Sequence, residues 1–291
     1  MLSIEPKEVP TAKLHGYLQS AVAPRPIAFA STLDANGKPN LSPFSFFNVF
    51  SANPPILIFS PARRVRDNTV KHTLNNCEAT GQVVINVVNY AIVQQASLSS
   101  TEYPEGVNEF LKSGLTMLPS DIVKPYRVAE SPVQFECKVK EIIALGDGGG
   151  AGNLVICEVV KLHIDENILD GNGVIDQHKI DLVSRLGGNW YSRANEGLFE
   201  VPKPLTTLGI GVDNIPENIR KSPVFNGNDL GMLGNVEALP TREEIDIFVQ
   251  QHFAVKGVLS ADDQTLQHEM AKEYIGNNDV ISAWKVLLAK Q

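Results

Sequence analysis

Between residues 132 and 143 apolar and polar side chains alternate, with Val133, Phe135, Cys137 and Val139 set against Gln134, Glu136, Lys138 and Lys140. That period of two predicts a strand with one buried face. The loop from Gly146 through Asp147, Gly148, Gly149, Gly150 and Ala151 to Gly152 leads into a second long apolar stretch at 154–164, so the pair predicts a hairpin. Earlier, residues 27–32 are dense in apolar side chains, and Asp34, Asn36 and Gly37 supply turn chemistry, with Gly37 able to take positive φ. A first hairpin follows over residues 24–48, ending in the run Ser42, Pro43, Phe44, Ser45, Phe46, Phe47 and Asn48. Residues 56–60, after the break at Asn53, Pro54 and Pro55, predict a strand buried on both faces, and residues 83–88 another.

Helical signals in this part are short. They predict one helix around residues 13–19, one capped by Asp67 or Asn68 and stopped by Gly81, one opening at Asn89, and one over 107–113. Six or more strands without regular strand-helix-strand repeats point to an antiparallel barrel rather than a doubly wound sheet. Past residues 201–204, rich in proline, the pattern changes to a helical period. Thr241 and Glu244 have capping-box spacing and precede Ile245, Phe248, Val249 and Phe253; later stripes carry Leu266, Met270 and Tyr274, then Val280, Ile281, Trp284, Leu287 and Leu288. The chain therefore reads as a barrel over residues 1–204 and a helical extension over 205–291, with turn formers dominating the stretch between the boundary and the helices.

Composition narrows the setting. The net charge of −8 disfavours non-specific binding to nucleic acid. No window approaches the run of about 18 apolar residues that a membrane span needs, and the N-terminus, with early acids and prolines, predicts no export. The three cysteines, Cys77, Cys137 and Cys157, never form a CxxC pair, which argues against a disulfide framework and a zinc site and for a reducing cytoplasm. The six histidines lack metal-ligand spacing, so no metal is expected.

Two stretches can carry chemistry. The run Pro43 to Asn48 combines a stiffened backbone, aromatic rings and the polar groups of Ser45 and Asn48, which suits a flat ring with a hydrogen-bonding edge, although an aromatic core strand has the same composition. Arg63, Arg64, Lys71 and Thr73, near a helix start, suit a phosphate, although a solvated basic loop also looks like this. The glycine-rich loop precedes a strand and not a helix, so it reads as a hairpin loop able to gate a site and not as a dinucleotide fingerprint. Arg185, Asn189, Trp190 and Tyr191 form a polar-aromatic cluster that suits a substrate or a packed turn equally.

The blocks from Pro24 to Thr32, Pro39 to Asn48, Ser60 to Arg64, Lys71 to Asn76 and Thr80 to Val88, together with Ser184 to Tyr191, stand in an order and spacing that resemble the flavin reductase-like family of FMN-binding split barrels, over about residues 18–195. Ile215 to Ser222 and Asn226 to Gly231 resemble a C-terminal extension found in some members. The resemblance implies a mainly β fold with α: an antiparallel split β-barrel of Greek-key type plus the helical extension, dimerised with FMN in a groove at or near the subunit interface. It implies that Ser31, Thr32 and Pro43, Phe44, Ser45, Phe46, Phe47 and Asn48 line the ring and ribityl chain, and that Ser60, Arg63, Arg64, Lys71 and Thr73 hold the phosphate. His72 stands where the family often has an acid, and Cys77 where it often has an aliphatic residue.

The expected function is a homodimeric FMN-binding oxidoreductase of flavin reductase type, passing electrons from NADH or NADPH to free flavin, oxygen or another acceptor, with Arg185, Asn189 and Tyr191 near the substrate. A flavoprotein that only carries electrons or stores FMN is the alternative; a related barrel oxidising a pyridoxamine-type substrate ranks below both.

Overall fold

In the computed structural model, seven strands form one antiparallel sheet in the order β2-β1-β5-β8-β9-β4-β3. They are β1 (Ala28–Leu33), β2 (Pro39–Phe44), β3 (Phe47–Ala52), β4 (Pro55–Phe59), β5 (Gln82–Val87), β8 (Val133–Ala144) and β9 (Asn153–Ile164). Around it lie α1 (Thr11–Ala21), α2 (His72–Thr80), α3 (Val93–Leu98), α4 (Glu109–Ser113) and α5 (Gln177–Ile180), with two small ribbons, β6 (Met117–Leu118) on β7 (Arg127–Val128) and β10 (Val183–Arg185) on β11 (Tyr191–Arg193). The structure describes all residues but Pro202, Leu205, Thr206, Thr207 and Gln291.

The strand order forces closure. β2 and β3 are the opposite edges of the sheet, yet only Ser45 and Phe46 separate them in sequence. Consecutive Cα atoms are 3.8 Å apart, so two intervening residues hold the edges within about 11 Å at that corner. The sheet must curl until its edges nearly meet without pairing, which makes a split barrel. Its interior is filled by Ala28, Ala30, Phe44, Phe59, Val83, Ile85, Cys137 and Val155, all buried. The aromatic run expected to finish one hairpin strand instead crosses the split, Phe44 ending one edge and Phe47 opening the other.

Several local signals act as their chemistry requires. Gly81 ends α2 at φ 64° with its N–H on the Cys77 carbonyl. Asp67 and Asn68 do not cap α2, which starts from Lys71; Asp67 accepts from the Thr69 N–H at 3.0 Å, and Asn68 adopts φ 58°. The β4 strand is not buried on both faces, since Ile56 and Ile58 are half exposed. Glu136, set on the solvent face by alternation, is fully buried because residues 121–123 fold over it and donate three backbone N–H groups.

The chain divides into two compact units, Met1–Phe199 and Glu200–Gln291. The boundary expected at 201–204 touches Pro202, and that at 204/205 touches Leu205, both outside the described residues. The second unit is helical: α6 (Glu217–Arg220), α7 (Gly227–Gly234), α8 (Arg242–Gln251), α9 (Phe253–Ser260), α10 (Gln264–Gly276) and α11 (Val280–Leu288). The capping box at α8 forms, Glu244 accepting from the Thr241 N–H at 2.7 Å. A second box at Asn226 and Asp229 opens α7 inside a stretch that sequence composition marks as turns. Trp284, fully buried, centres this unit's own core and donates its indole N–H to the Leu233 carbonyl at 3.0 Å.

Candidate functional site

The edge strand β2 and the C-terminal end of α3 border two cavities. The larger, about 540 Å³, is lined by Pro43, Phe44 and Ser45 at the split, by Arg185, Asn189 and Tyr191 from the β10–β11 ribbon, and by Ser97 and Ser100. Its size is that of an ordinary small-molecule pocket. The smaller, about 20 Å³, is lined by Ser42, Arg64, Lys71 and Thr73 together with Ser99, Thr101 and Glu102. Ser42 and Pro43 are neighbours on one strand, and Ser97 to Thr101 run from one cavity to the other. Pro43 to Ser45 thus line one cavity and Arg64, Lys71 and Thr73 the neighbouring one, with a bridge that sequence reading missed: Ser97, Ser99, Ser100 and Thr101. The signal was the density of hydroxyls in residues 97–101, at the end of the helix expected to open at Asn89.

The small cavity is lined by two cations, Arg64 and Lys71, and two acids, Glu102 and Glu109. Arg64 donates through Nη1 to Thr69 Oγ1 at 2.7 Å and to the Val70 carbonyl at 2.9 Å, while its Nε meets Glu102 at 3.0 Å. Lys71 has no acid paired with it among the described residues; burial, and then the neighbouring Arg64, lower its pKa. Thr73 is buried and its hydroxyl accepts from Asn40 Nδ2 at 2.9 Å. Glu109, also on this wall, is buried with its carboxylate on the Leu41 N–H at 3.0 Å, and burial raises its pKa. An ammonium with no acid paired to it among the described residues, a guanidinium, and the hydroxyls of Ser42 and Thr101 form a donor set that fits a phosphate.

Other expected residues lie elsewhere. Ser31 and Thr32 are fully buried in the strand between β2 and β5; Thr32 accepts from Asn76 at 3.0 Å and so braces Asn40 and Thr73, while Ser31 Oγ has no partner among the described residues. Phe46 turns outward against Arg25 and His15, Phe47 packs on the barrel core, and Asn48 accepts from its own neighbour's Val49 N–H at 2.8 Å. Ser60 and Arg63 line neither cavity. Both face the glycine loop: Arg63 exchanges backbone bonds with Ala151 and Gly150 at 2.8 and 2.9 Å, and a Cβ on Gly152 would come within 2.7 Å of Ser60 Oγ. The loop is thus docked on the basic segment.

Arg25, flanked by Pro24 and Pro26, is a second residue that sequence reading passed over. It is buried, and its guanidinium donates to the carbonyls of Gln19, Val22 and Leu186 and to Ser45 Oγ at 3.4 Å, joining α1, the β10–β11 ribbon and the barrel corner. Beyond Tyr191 the large cavity continues into another of about 300 Å³, where Arg193 stacks on Tyr90 at 4.0 Å and pairs with Asp181 through two bonds of 2.8 Å. Away from the groove, Asp121, Glu136 and His163 bring ligand-type atoms within 4.8 Å of one another. Glu136 already accepts four hydrogen bonds and Asp121 pairs with Lys161, so these groups are engaged with the protein.

Residues 20–180 match the family described as a flavin reductase like domain. An uncharacterised protein of Aquifex aeolicus is 36% identical over 188 residues, 65% of this chain and 93% of its own. Nitrilotriacetate monooxygenase component B from Bacillus cereus superposes with a TM-score of 0.64 at 28% identity, over 69% of this chain and 98% of its own. A proposed flavin reductase with split barrel domain from Shewanella frigidimarina gives a TM-score of 0.59 at 27% identity, over 70% of this chain and all of its own (100%).

Proposed function

The chain belongs to the flavin reductase-like family, and on that footing we propose that it is an FMN-binding oxidoreductase of flavin reductase type. The adjoining cavities carry this reading: one has the size and polar-apolar lining for a flat ring, the other has cations and hydroxyls for a phosphate, and β2 with residues 97–101 spans both. Arg64, Lys71, Thr101 and Ser42 hold the phosphate, while Ser45 and Asn189 meet the polar edge of the ring and Tyr191 walls it. When bound, the flavin supplies the hydride and electron chemistry. The chain's side chains bind it, orient it and control access, so no general acid or base is assigned.

NADH or NADPH is the donor in this reading, entering along the groove past Tyr191 and Tyr90, and free flavin, oxygen or another small acceptor takes the electrons on. A homodimer is supported by the uncovered apolar face of the β3–β4 edge, where Val49 and Phe50 are each 64% exposed. A reducing cytoplasmic setting is supported by three free thiols, and no helix among the described residues is long and apolar enough to cross a membrane.

The purified protein should be yellow and should release FMN on denaturation. Anaerobic mixing with NADH or NADPH should then bleach the flavin band. Colourless protein that takes up no added FMN overturns the proposal; a bound flavin that neither nucleotide reduces makes the chain an electron carrier instead.

A further inference from the structure

The small cavity has one open side. Of its lining, Asn40, Thr73, Ser99 and Glu109 are buried, and Ser42, Arg64, Lys71, His72 and Tyr103 half buried; Thr101 and Glu102 alone are exposed. A ligand whose ring occupies the large cavity enters along Ser42 and residues 97–100. Anything that extends past its phosphate must leave by Thr101 and Glu102. Glu102 is fixed at that exit by two guanidinium groups, Arg64 Nε at 3.0 Å and Arg66 Nη2, and its carboxyl is held below the usual range by the bonds to Arg66 and Arg64.

We propose that Glu102 makes this site select a flavin ending in a monophosphate, FMN, against one extended by an adenylate, FAD. The inference rests on the FMN reading of the groove. A terminal phosphate is close to a dianion at neutral pH, and it gains from Lys71 and Arg64 inside the cavity without crossing the exit. In FAD the same phosphate is a diester with a single charge, so it gains less there, and the second phosphate must lie beside the Glu102 carboxylate. Two like charges a few ångströms apart at a partly screened surface weaken binding by roughly tenfold or more. The second phosphate must also displace Glu102 from Arg64 and Arg66.

Glu102→Gln keeps the size of the side chain and removes its charge. Flavin-stripped protein, wild type and variant, should be titrated with FMN, FAD and riboflavin by fluorescence quenching at fixed ionic strength. Wild type should prefer FMN to FAD strongly, and Glu102→Gln should narrow that preference by about tenfold while leaving riboflavin affinity unchanged. Glu105→Gln, an exposed acid that does not line the cavity, serves as the control for general surface charge. An unchanged FMN-to-FAD ratio in Glu102→Gln, or equal narrowing in Glu105→Gln, overturns the inference and leaves the FMN reading standing. Wild type that binds none of the three flavins overturns both.

Discussion

Glu136 shows how one buried acid can organise a surface segment. Burial by itself would raise its pKa, but the N–H groups of Asp121, Ile122 and Val123 and the ring of His163 outweigh it and hold the carboxyl down at about 2. A depressed carboxyl contributes stability that is fully present above its ordinary value of 4.5 and is lost as pH falls toward 2. Glu136→Gln should therefore cost about 2 kcal/mol at neutral pH in urea unfolding and flatten the decline between those pH values; an unchanged midpoint would mean that residues 121–123 are held by other bonds. The cysteines give a second residue-scale test. Burial pushes Cys77 up to about 12 and raises Cys137 and Cys157 as well, so a thiol reagent at neutral pH should label none of the three in folded protein and all of them in denaturant. In the groove, Lys71→Ala should weaken FMN by roughly tenfold to a hundredfold and leave riboflavin unaffected, because a charge-assisted bond to phosphate is what is lost.

At the scale of elements, the β8–β9 hairpin loop is a clamp on the basic segment. A Cβ on Gly149 would lie 2.9 Å from the Val65 carbonyl oxygen and 3.1 Å from that of Arg64. Backbone on both sides leaves little room to relax, so Gly149→Ala should cost about 1–3 kcal/mol and, by shifting Arg64, weaken FMN more than riboflavin; equal weakening of both would assign the loop to stability alone. Sequence reading took this loop as a possible gate because local composition cannot tell a free glycine run from one that lets two backbones touch. Elements whose signals are local were legible: β1 and β2 around Gly37, the left-handed stop at Gly81, the box at Thr241. What was not legible depends on segments distant in sequence. Nothing near Phe44 says that the next two residues join opposite sheet edges, nothing near Glu136 says that residue 121 will cover it, and residues 97–101 become a bridge only once β2 lies alongside. For the same reason Ser31 and Thr32, which match the motif, sit buried in the strand between β2 and β5 and line neither cavity.

For the whole molecule, separate hydrophobic clusters in each of the two units imply two cooperative events. Among the described residues, the core centred on Trp284 draws on residues from 210 onward, and the clusters of the first unit on residues 27–183. Residues 1–199 produced alone should fold and retain FMN affinity within a few-fold; loss of binding would give the helical unit a part in the groove. Trp284→Ala should lower the stability of the helical unit by about 3–5 kcal/mol, visible in calorimetry as one transition moving while the other stays. The corner at Ser45 has a consequence for those same traces. It is at once part of the two-residue seam that draws the sheet edges together and part of the wall of the larger cavity. A flavin seated there acts as a rivet across the seam, so its binding energy resists opening of the barrel: at a hundredfold excess over Kd it should add about 2.7 kcal/mol to the barrel transition and leave the helical one where it was.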